Sequence, residues 1–549
     1  MNNMAQQFAE RIAAGLARKA VTRCSKWVER YRIMGGEHPG PYSHERYPWM
    51  VQIHDCMAEV EAVQKAAQMG VTEGAINKSF FWNDIFQLSV LYVLPSDNPH
   101  ASNFSRSRFD PALEMSPHLK NLYTDVKNVG HKRAGGANLF IRGSRSKTGL
   151  KSDPISLIVF DEADEMMQEN LALAEERTSG HKIRQHFWLS TPTVRGRGIN
   201  AKFQESSQNF FFFKCYHCGH RQRFTFPESI VLIDCHETDP EIKKCHLICT
   251  HCKRELEHER KPEFLGKGEW VPTYTDRMTE GFHISQLYSM TEAPWKINQQ
   301  YIQGISNAYK QIELHNSKLG LTFELEGSRV TIDQVRDAKK DYVSAARGTA
   351  GKFVTVGCDV GNVTYYEVTE WSFPILSPTN DINDMAVPRV LALGKLDHIE
   401  DIINVVNDFK ALFMVIDARP EWHTSRKICN ALNGRGKMCF YTDTTGVFLA
   451  EKQDETMALN ADRTYWLDVA LGRFKKHQIS LPKDAPLEYA DHITALVRHP
   501  EMDSRGQIIY RYVKGDKDAD HYAHCRVYSE IALAQCATMM GASNISESV

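Results

Sequence analysis

The chain of 549 residues predicts an α/β protein with more than one domain, because a single core of this size is uncommon. A short apolar run, Leu157 to Phe160, ends abruptly in Asp161 and Glu162. Parallel strands end in this way where a ligand site lies at their carboxyl edge. Much later, two further apolar runs end in Asp359 and Asp417, which indicates a second sheet with an acidic site of its own.

Composition excludes several classes of protein. The apolar fraction of 42% and the charged fraction of 24% are ordinary, and no apolar stretch is long enough for a membrane helix. A net charge of -2 does not argue for nucleic acid, although a local basic lining stays possible. Of the thirteen cysteines, four form two CxxC pairs and the rest are scattered, which is typical of a reducing compartment. Residues 1–20 predict an amphipathic helix and not a targeting segment.

The stretch EAVQKAAQMGVTEG, residues 61–74, predicts a deviant phosphate-binding loop. Such a loop needs small residues, a lysine for the phosphates and a hydroxyl for magnesium at the start of a helix. Gly70 and Thr72 meet two of these needs, but Val71 stands where the lysine is usual. Lys65, at the front of the loop, is positioned to supply the missing charge. Alone, this segment is weak support for nucleotide binding.

The strand that ends in Asp161 and Glu162 predicts a Walker B element. Asp161 would hold the magnesium of a nucleotide, and Glu162 would orient or deprotonate the attacking water. The alternative is a core strand followed by a helix that begins with acidic residues. The next apolar run ends in a hydroxyl-rich turn, Ser190 to Thr193, where helicase-like ATPases sense the γ-phosphate. Three strand-end motifs in this order favour a RecA-like P-loop ATPase.

Two further stretches are ambiguous. The residues Tyr47, Pro48 and Trp49 precede the phosphate loop and would suit either an adenine platform or the core of a turn. The glycine-rich segment from Lys132 to Lys151 carries six basic residues. Its composition suits contact with DNA phosphates, an arginine finger for a neighbouring subunit, or a solvated loop.

Residues 214–256 predict a zinc ribbon inserted in the ATPase. Two CxxC knuckles about thirty residues apart have the spacing of a closed, structural tetrahedral site. The expected ligands are Cys215, Cys218, Cys249 and Cys252. Other nearby candidates are Cys235, Cys245, His217, His220 and His251.

The C-terminal part of the chain predicts an RNase H-like nuclease. Asp359 and Asp417 end two strands, while Asp520 begins a helix and has His524 one turn away. Three carboxylates on such elements can hold two divalent ions for phosphodiester cleavage.

Together these motifs resemble the GpA type of tailed-phage terminase large subunit, from about Trp27 to the last helix. The resemblance is carried by QKAAQMGVTE, LIVFDEAD, LSTPT, CYHCGH, CTHCKRE, GEWVP, GFHISQLYS, GCDVG, VIDARPEW and DHYAHCRVYSEIA. It implies that Lys65, Gln68, Gly70, Thr72 and Asp161 bind ATP, that Glu162 drives hydrolysis, and that Asp359, Asp417 and Asp520 hold the nuclease metals. Val71 and His524 depart from the family pattern.

The resemblance also implies a packaging motor that moves double-stranded DNA into a procapsid and cuts concatemeric DNA. Expected cofactors are ATP, Mg²⁺ or Mn²⁺, and Zn²⁺. Expected partners are double-stranded DNA, the portal protein, a small terminase subunit and further copies in a ring, in the host cytoplasm and without a membrane. The alternatives are a helicase or transposition-type ATPase with an inactive second domain, and a zinc-ribbon DNA-binding scaffold without enzyme activity.

The predicted domain limits are residues 1–205 for the ATPase core with its N-terminal helical segment and 206–262 for the Cys₄ ribbon. Residues 263–350 would complete the ATPase domain and form a linker, and residues 351–549 would form the nuclease.

Overall fold

A computed structural model describes residues 21–37, 39–124, 127–151, 153–348, 352–373, 381–443, 448–452, 455–503 and 505–539. The chain divides into two compact units, with the boundary between Glu324 and Leu325. The amphipathic helix predicted for residues 1–20 lies outside the described residues. Within the described part, no helix is both long and apolar enough to cross a membrane.

The first unit is built on a large, mainly parallel sheet. Its strands are β1 Ile33–Met34, β2 Gly40–Pro41, β3 Val60–Lys65, β4 Val90–Leu94, β5 Lys127–Asn128, β6 His131–Ala134, β7 Ala137–Gly143, β8 Leu157–Asp161, β9 Gln185–Ser190, β10 Asn209–Lys214, β11 Arg221–Gln222, β12 Ile230–Val231, β13 His246–Ile248, β14 Glu255–Leu256, β15 Glu269–Pro272 and β16 Glu280–Ile284. In the described part, eleven strands form one sheet in the order β11-β10-β16-β3-β9-β8-β4-β7-β6-β5, with β15 also paired to β10.

The centre of this sheet, from β16 to β7, is parallel. Every residue of β4, β8 and β9 is buried, as expected where helices cover both faces of a parallel sheet. The apolar runs predicted as buried strands are therefore confirmed. Because β3, β8 and β9 run in the same direction, their carboxyl ends meet at one edge, and the polar side chains that follow them gather there.

The helices of the first unit are mostly short. Their bounds are Cys24–Tyr31, Met50–Asp55, Val71–Phe81, Ser102–Phe104, Asp110–Met115, Pro117–Leu122, Gln168–Glu175, Gly198–Glu205, Lys261–Leu265, Pro294–Ser306 and Ala308–Glu313. Wider, π-type turns occupy Trp82–Phe86, Ser105–Phe109 and Leu314–Leu319. The helix predicted after the phosphate loop is present, and one of these wide turns extends it.

The second unit is organised around a mixed sheet. Its strands are β17 Lys339–Lys340, β18 Phe353–Asp359, β19 Thr364–Ser372, β20 Val387–Leu396, β21 Phe413–Asp417, β22 Gly436–Thr442, β23 Leu449–Lys452, β24 Glu455–Asp462, β25 Leu481–Pro482, β26 Val497–Met502 and β27 Ile508–Val513. In the described part, seven of them form the order β20-β19-β18-β21-β22-β24-β23. The first three pair antiparallel, and β18, β21, β22 and β24 run parallel.

The last helix packs across this sheet. The helices of the unit are Ile332–Ala338, Ile382–Met385, Ile402–Asp408, Trp422–Ala431, Arg463–Lys475, Leu487–Thr494 and His521–Met539. Gly357 in β18 permits the close approach, because a Cβ there would lie 1.9 Å from the carbonyl oxygen of Cys525. Residues 263–350, predicted to complete the ATPase domain and form a linker, contain the Ile332–Ala338 helix, which begins with a capping box between Thr331 and Gln334.

Candidate ATPase, zinc and nuclease sites

The phosphate-binding loop connects β3 to the Val71–Phe81 helix. Gly70, the residue before the helix, has a φ of 81° and a ψ of 0°, which only glycine adopts readily. A Cβ on Gly70 would also lie 2.9 Å from Cδ1 of Tyr47. Neighbouring segments hold the loop in place, since the amide of Ala66 donates to the carbonyl of Ile284 at 2.8 Å. Glycine is thus required here by backbone conformation and by space.

Lys65 is the cation at the front of the loop. Its Nζ lies 2.9 Å from Oε1 of Glu162, and its side chain is only 6% exposed. Val71, where a lysine is usual, is buried with 1% exposure. The structure therefore brings Lys65, and no side chain from position 71, to the Asp161–Glu162 pair.

Asp161 ends β8 beneath the phosphate loop. Its Oδ1 accepts from the hydroxyl of Thr72 at 3.3 Å, and its Oδ2 accepts from the hydroxyl of Tyr92 at 2.6 Å. Burial raises the pKa of Asp161 to about 6, and the charge of Glu162 adds to the effect. Sequence reasoning missed Tyr92, although a polar-tipped aromatic residue inside a buried strand is a usable signal.

Glu162 adopts a left-handed backbone conformation, with a φ of 61°, directly after the strand. The hydroxyl of Ser190 donates to its Oε2 at 3.3 Å. The Walker B turn and the hydroxyl-rich turn after β9 are thereby in direct contact.

Asp164 makes a second link between these turns, and sequence reasoning missed it. Its Oδ2 accepts from the amide and the hydroxyl of Thr193 at 2.8 and 2.7 Å, and its Oδ1 accepts from the amide of Ile199 at 2.7 Å. Burial raises the pKa of Asp164 to about 6. A shift of the carboxyl edge of β8 would therefore be passed directly to the segment after β9.

The phosphate-binding loop and Glu162 line a cavity of about 740 Å³. Tyr47 lines it, a position compatible with an adenine platform. Trp49 has a different role: it is fully buried and donates its indole N–H to the carbonyl of Met69 at 3.0 Å, so it supports the loop from behind. Lys65, Gln68, Gly70, Thr72 and Glu162 also line the cavity.

The basic segment from Lys132 to Lys151 is only partly available for contacts. Lys132 is buried and pairs with Asp110 at 2.6 Å, and Arg142 donates to the carbonyl of Gly130. Arg145, Lys147 and Lys151 are exposed. They follow β7, whose carboxyl end lies at the same sheet edge as that of β8.

The four cysteines predicted as zinc ligands form one compact cluster. Their sulfur atoms all lie within 4.8 Å of one another, with 4.0 Å between Cys215 and Cys252 and 3.8 Å between Cys218 and Cys249. Tetrahedral zinc with Zn–S bonds of about 2.3 Å places its sulfurs about 3.8 Å apart. Burial raises the pKa of Cys215, whereas at Cys249 amide donors from Cys252 and His251 outweigh burial and lower the pKa. The cluster fits zinc in its spacing and in its four sulfur donors.

The two knuckles share one hydrogen-bond pattern. The amide of Cys215 donates to the carbonyl of His220, and the amide of Cys249 donates to the carbonyl of Arg254, each at 2.9 Å. The other candidate ligands do not join the cluster of described residues. The ring of His217 contacts the carbonyl of Glu255, and His220 stacks on His251 with 4.8 Å between ring centroids.

In the second unit, Asp359 and Asp417 lie side by side. Their strands are parallel neighbours, with Cys358 opposite Ile416 one residue earlier. Burial raises the pKa of Asp417 to about 6, and the charge of Asp359 adds to the effect. This pair is suited to sharing a divalent ion, because a cation would relieve the repulsion between the two carboxylates.

Asp520, directly before the last helix, is held by basic side chains. Its Oδ1 accepts from Nζ of Lys514 at 2.5 Å, and its Oδ2 lies 3.1 Å from Nε2 of His524. Burial alone would raise the pKa of Asp520, but His524 and Lys514 outweigh it and hold the pKa well below the ordinary value. His524 in turn contacts the hydroxyl of Tyr441 at 2.8 Å.

His521 is a neighbour of the acidic site that sequence reasoning missed. Its Nδ1 lies 2.8 Å from Oδ2 of Asp359, and its ring stacks on Tyr365 with 4.6 Å between centroids. Among the described histidines, cysteines and acids, only the four ribbon cysteines form a compact group with metal-ligand spacing. Asp359 and Asp520 instead face the histidines, at the same end of the sheet.

Known proteins account for both units. The family described as "Phage terminase large subunit gpA, ATPase domain" matches residues 36–270. The family described as "Terminase large subunit gpA, endonuclease domain" matches residues 279–374. The chain belongs to the GpA type of phage terminase large subunits. The resemblance noted from sequence is confirmed.

The solved structure of one large terminase shares the fold of this terminase chain. The large terminase of bacteriophage HK97 is 8% identical, with a TM-score of 0.52, over 93% of this chain and 99% of that chain. The large terminase of a thermophilic bacteriophage is 10% identical, with a TM-score of 0.31, over 89% of this chain and 98% of that chain. No curated protein sequence matches this one. At these identities the HK97 likeness supports the fold alone.

As a terminase large subunit, the chain combines an ATPase domain with a metal-dependent endonuclease domain, and its activity belongs to viral DNA packaging. The α/β prediction of an N-terminal ATPase and a C-terminal nuclease is therefore confirmed. The helicase-like and scaffold alternatives are not supported. Residues 279–374 of the endonuclease match include β16, which the structure pairs with β3 in the first sheet.

Proposed function

We propose that Lys65, Gln68, Gly70 and Thr72 bind the phosphates of ATP, and that Asp161 completes the magnesium site with Thr72. The observation that supports this most is that Lys65, Thr72 and Glu162 line one cavity, with Lys65 paired to Glu162 and Thr72 donating to the buried Asp161. Magnesium held by Thr72 and Asp161 would offset the charge of the phosphates. Lys65 would supply a second cation, which replaces the lysine missing at Val71.

In this proposal Glu162 positions the attacking water. Its side chain is 35% exposed and lines the cavity, and its carboxylate contacts Lys65 and Ser190. A water held by this carboxylate would be placed for attack on the terminal phosphate. Ser190 contacts Glu162, and Asp164 contacts Thr193. Through these contacts, a movement of Glu162 during hydrolysis would displace the segment that follows β9.

For the nuclease, we propose that Asp359, Asp417 and Asp520 hold the divalent ions, Mg²⁺ or Mn²⁺. Paired metal ions supply an activated water and stabilise the leaving oxygen. Asp359 and Asp417 are suited to this role because they follow one another across two neighbouring parallel strands. Asp520 must first turn from Lys514 and His524, and Asp359 from His521, to serve as ligands.

We further propose that Cys215, Cys218, Cys249 and Cys252 bind one structural zinc ion. Four protein ligands leave no open coordination position, so the metal would support the fold and not the chemistry. The ribbon would span residues 206–262, within an ATPase core of residues 1–205 completed by residues 263–350, and would precede a nuclease of residues 351–549. The sulfur distances and the matching knuckles support the metal assignment.

The complete motor would act in the host cytoplasm as a ring of copies around double-stranded DNA. It would dock transiently on the portal protein of the procapsid and receive concatemeric DNA from a small terminase subunit. Exposed Arg145, Lys147 and Lys151 are the basic groups best placed for DNA phosphates or for a neighbour's nucleotide. The cut would convert the concatemer into a packaged length.

One preparation of the full chain tests both activities. We expect DNA-stimulated ATP hydrolysis that requires Mg²⁺, and nicking of supercoiled plasmid that requires Mg²⁺ or Mn²⁺ but not ATP. Loss of both activities on removal of divalent ions, with recovery on their return, is the expected control. Absence of metal-dependent hydrolysis of ATP by a folded, DNA-bound chain would refute the ATPase assignment.

A further inference from the structure

The cavity at the phosphate loop holds more negative than positive charge. Three carboxylates line it, and among the described lining residues only Lys65 and Arg108 are basic. Lys65 is already paired with Glu162. A triphosphate entering this cavity therefore needs a second cation, and Arg108 is the group available within the same chain.

Glu73, the acid nearest Arg108, already has another arginine as its partner, so Arg108 is not needed to neutralise it. Glu73 follows Thr72 in the first turn of the helix and pairs with Arg32, which is 2% exposed. Arg32 is fixed from several sides, since its Nε donates to Asn77 at 2.7 Å and its Nη1 donates to Ser116 at 3.2 Å. The charge of Glu73 is thus balanced by a buried arginine.

Arg108 makes a much looser contact with the same acid. Its Nη2 lies 3.8 Å from Oε2 of Glu73, beyond hydrogen-bond distance, and its side chain is 47% exposed. Because one partner is nearly half exposed and no hydrogen bond is formed at this distance, the pair contributes little stability. The guanidinium can leave Glu73 at small cost.

The backbone that carries Arg108 is nevertheless firmly placed. Phe109 is fully buried, and its ring contacts Tyr92 and Phe104 at centroid distances of 5.2 and 5.8 Å. Tyr92 donates to Asp161 at 2.6 Å. The half-exposed guanidinium of Arg108 is therefore carried by a segment that packs against Tyr92, the hydrogen-bond partner of Asp161.

We propose that Arg108 is a phosphate ligand of the nucleotide bound by its own chain, and that it supplies with Lys65 the charge missing at Val71. The inference rests on the nucleotide site proposed above. A guanidinium offers two parallel N–H donors to phosphate oxygens, and such charge-assisted pairs are strong when partly shielded from water. Arg108 moves from Glu73 to the phosphates when the nucleotide enters.

The test is equilibrium binding of the slowly hydrolysed analogue Mg-ATPγS to the full chain. Arg108→Ala should raise the Kd roughly ten- to a hundredfold, as expected for loss of a hydrogen bond to a charged group. Arg108→Lys should recover only part of the loss. Arg106→Ala is the matched control, because Arg106 is exposed on the same turn but does not line the cavity, and its Kd should equal that of the parent.

If the alanine variant fails to fold, Arg108→Gln replaces it in the binding experiment. Either variant counts as folded when its melting temperature lies within a few degrees of the parent's. A Kd within twofold of the parent for a folded Arg108 variant would overturn the proposal, and so would an equal loss in Arg106→Ala. A ligand role only toward a neighbouring subunit's nucleotide would likewise leave the Kd of the isolated chain unchanged. If the parent itself binds no nucleotide, the proposed ATPase site fails independently of Arg108.

Discussion

The ammonium group of Lys65 lies 2.9 Å from a carboxylate oxygen of Glu162, across 97 positions of sequence. The contact joins the front of the phosphate loop to the residue proposed to activate water. The same cation is needed by the phosphates, so nucleotide binding must draw Lys65 at least partly away from Glu162. On the proposed assignment, binding of ATP would be coupled to release of the carboxylate that positions the attacking water.

Lys65→Ala should lower ATP turnover by about a hundredfold or more, because the charge that forms on the phosphates in the transition state loses a preorganised cation. Steady-state hydrolysis by the full chain measures the effect. Lys120→Ala removes an exposed lysine of the same unit and should hydrolyse ATP at the parental rate. Near-normal turnover in Lys65→Ala would show that another basic group serves the phosphates.

Replacement of a ribbon cysteine should release the metal. Cys215→Ser or Cys252→Ser is expected to lower the zinc content from one ion per chain toward none and to expose residues 214–256 to protease, because so small a ribbon has little core of its own. Elemental analysis and limited proteolysis measure the two effects. Cys235→Ser is the control, since Cys235 lies outside the cluster. A parent chain purified without chelators and found free of zinc would contradict the assignment.

The two activities should be separable by single substitutions. Asp359→Asn should lower plasmid cutting by several orders of magnitude and leave ATP hydrolysis intact, because it removes a ligand charge from the nuclease site only. Glu162→Gln should stop hydrolysis, still bind ATP, and cut DNA. Asp341→Asn, at a side chain that is 93% exposed, should change neither activity. Normal cutting by Asp359→Asn, or normal hydrolysis by Glu162→Gln, would refute the assignment of that residue.

An isolated nuclease fragment should cut DNA without ATP, and its stability should depend on where it begins. A start at Lys352 matches the sequence-based limit, but Val330 and Val335 are fully buried in the core of the second unit. A fragment without these two side chains should have a free energy of unfolding lower by roughly 3 kcal/mol or more. Thermal unfolding should therefore find the fragment from Leu325 clearly more stable than the fragment from Lys352. Equal melting temperatures would show that residues 325–351 contribute nothing to the unit.

Acid should destabilise the first unit through His283. Burial lowers the pKa of His283 to about 4, although the hydrogen bond to the carbonyl of Leu319 opposes the shift. In the unfolded chain this histidine binds a proton at about pH 6.5, whereas in the folded chain it does so only near pH 4. Its contribution to the free energy of unfolding is therefore present at pH 7 and is lost as the pH falls from about 6.5 to 4. When the pH is lowered from 7 to 5, the free energy of unfolding of the parent should fall by about 2 kcal/mol more than that of His283→Gln.

Urea unfolding at the two pH values measures this difference. His236→Gln, at an exposed histidine of the same unit, should follow the parent at both. Identical pH profiles for the parent and His283→Gln would contradict the assignment of the effect to His283.

The strands that carry the acids were predictable because each is a short apolar run that ends in a charge. Asp161, Asp359 and Asp417 all lie at such ends, and the spacing of the four cysteines was equally informative. Each of these motifs is formed by residues that are close together in the sequence, so their spacing is enough to predict the chemistry.

The partners of those residues were not predictable in the same way. Tyr92 meets Asp161 across 69 positions, and His521 meets Asp359 across 162. Arg108 has no motif at all, since its position depends on the packing of Phe109 against Tyr92. Such contacts follow from the register of strands far apart in sequence, which a single chain does not reveal. The proposed roles of the site residues remain predictions.

Cys215 comes directly after β10, and β10 pairs with β16, which pairs with the phosphate-loop strand β3. The ribbon is therefore no pendant module, because its first knuckle continues a strand of the sheet that positions the phosphate loop, with one strand between them. A molecule that bound the ribbon and moved relative to it would exert force on this sheet. Tension applied at the knuckle would reach the nucleotide through two rows of backbone hydrogen bonds, so the ribbon can transmit force to the motor as well as complete its fold.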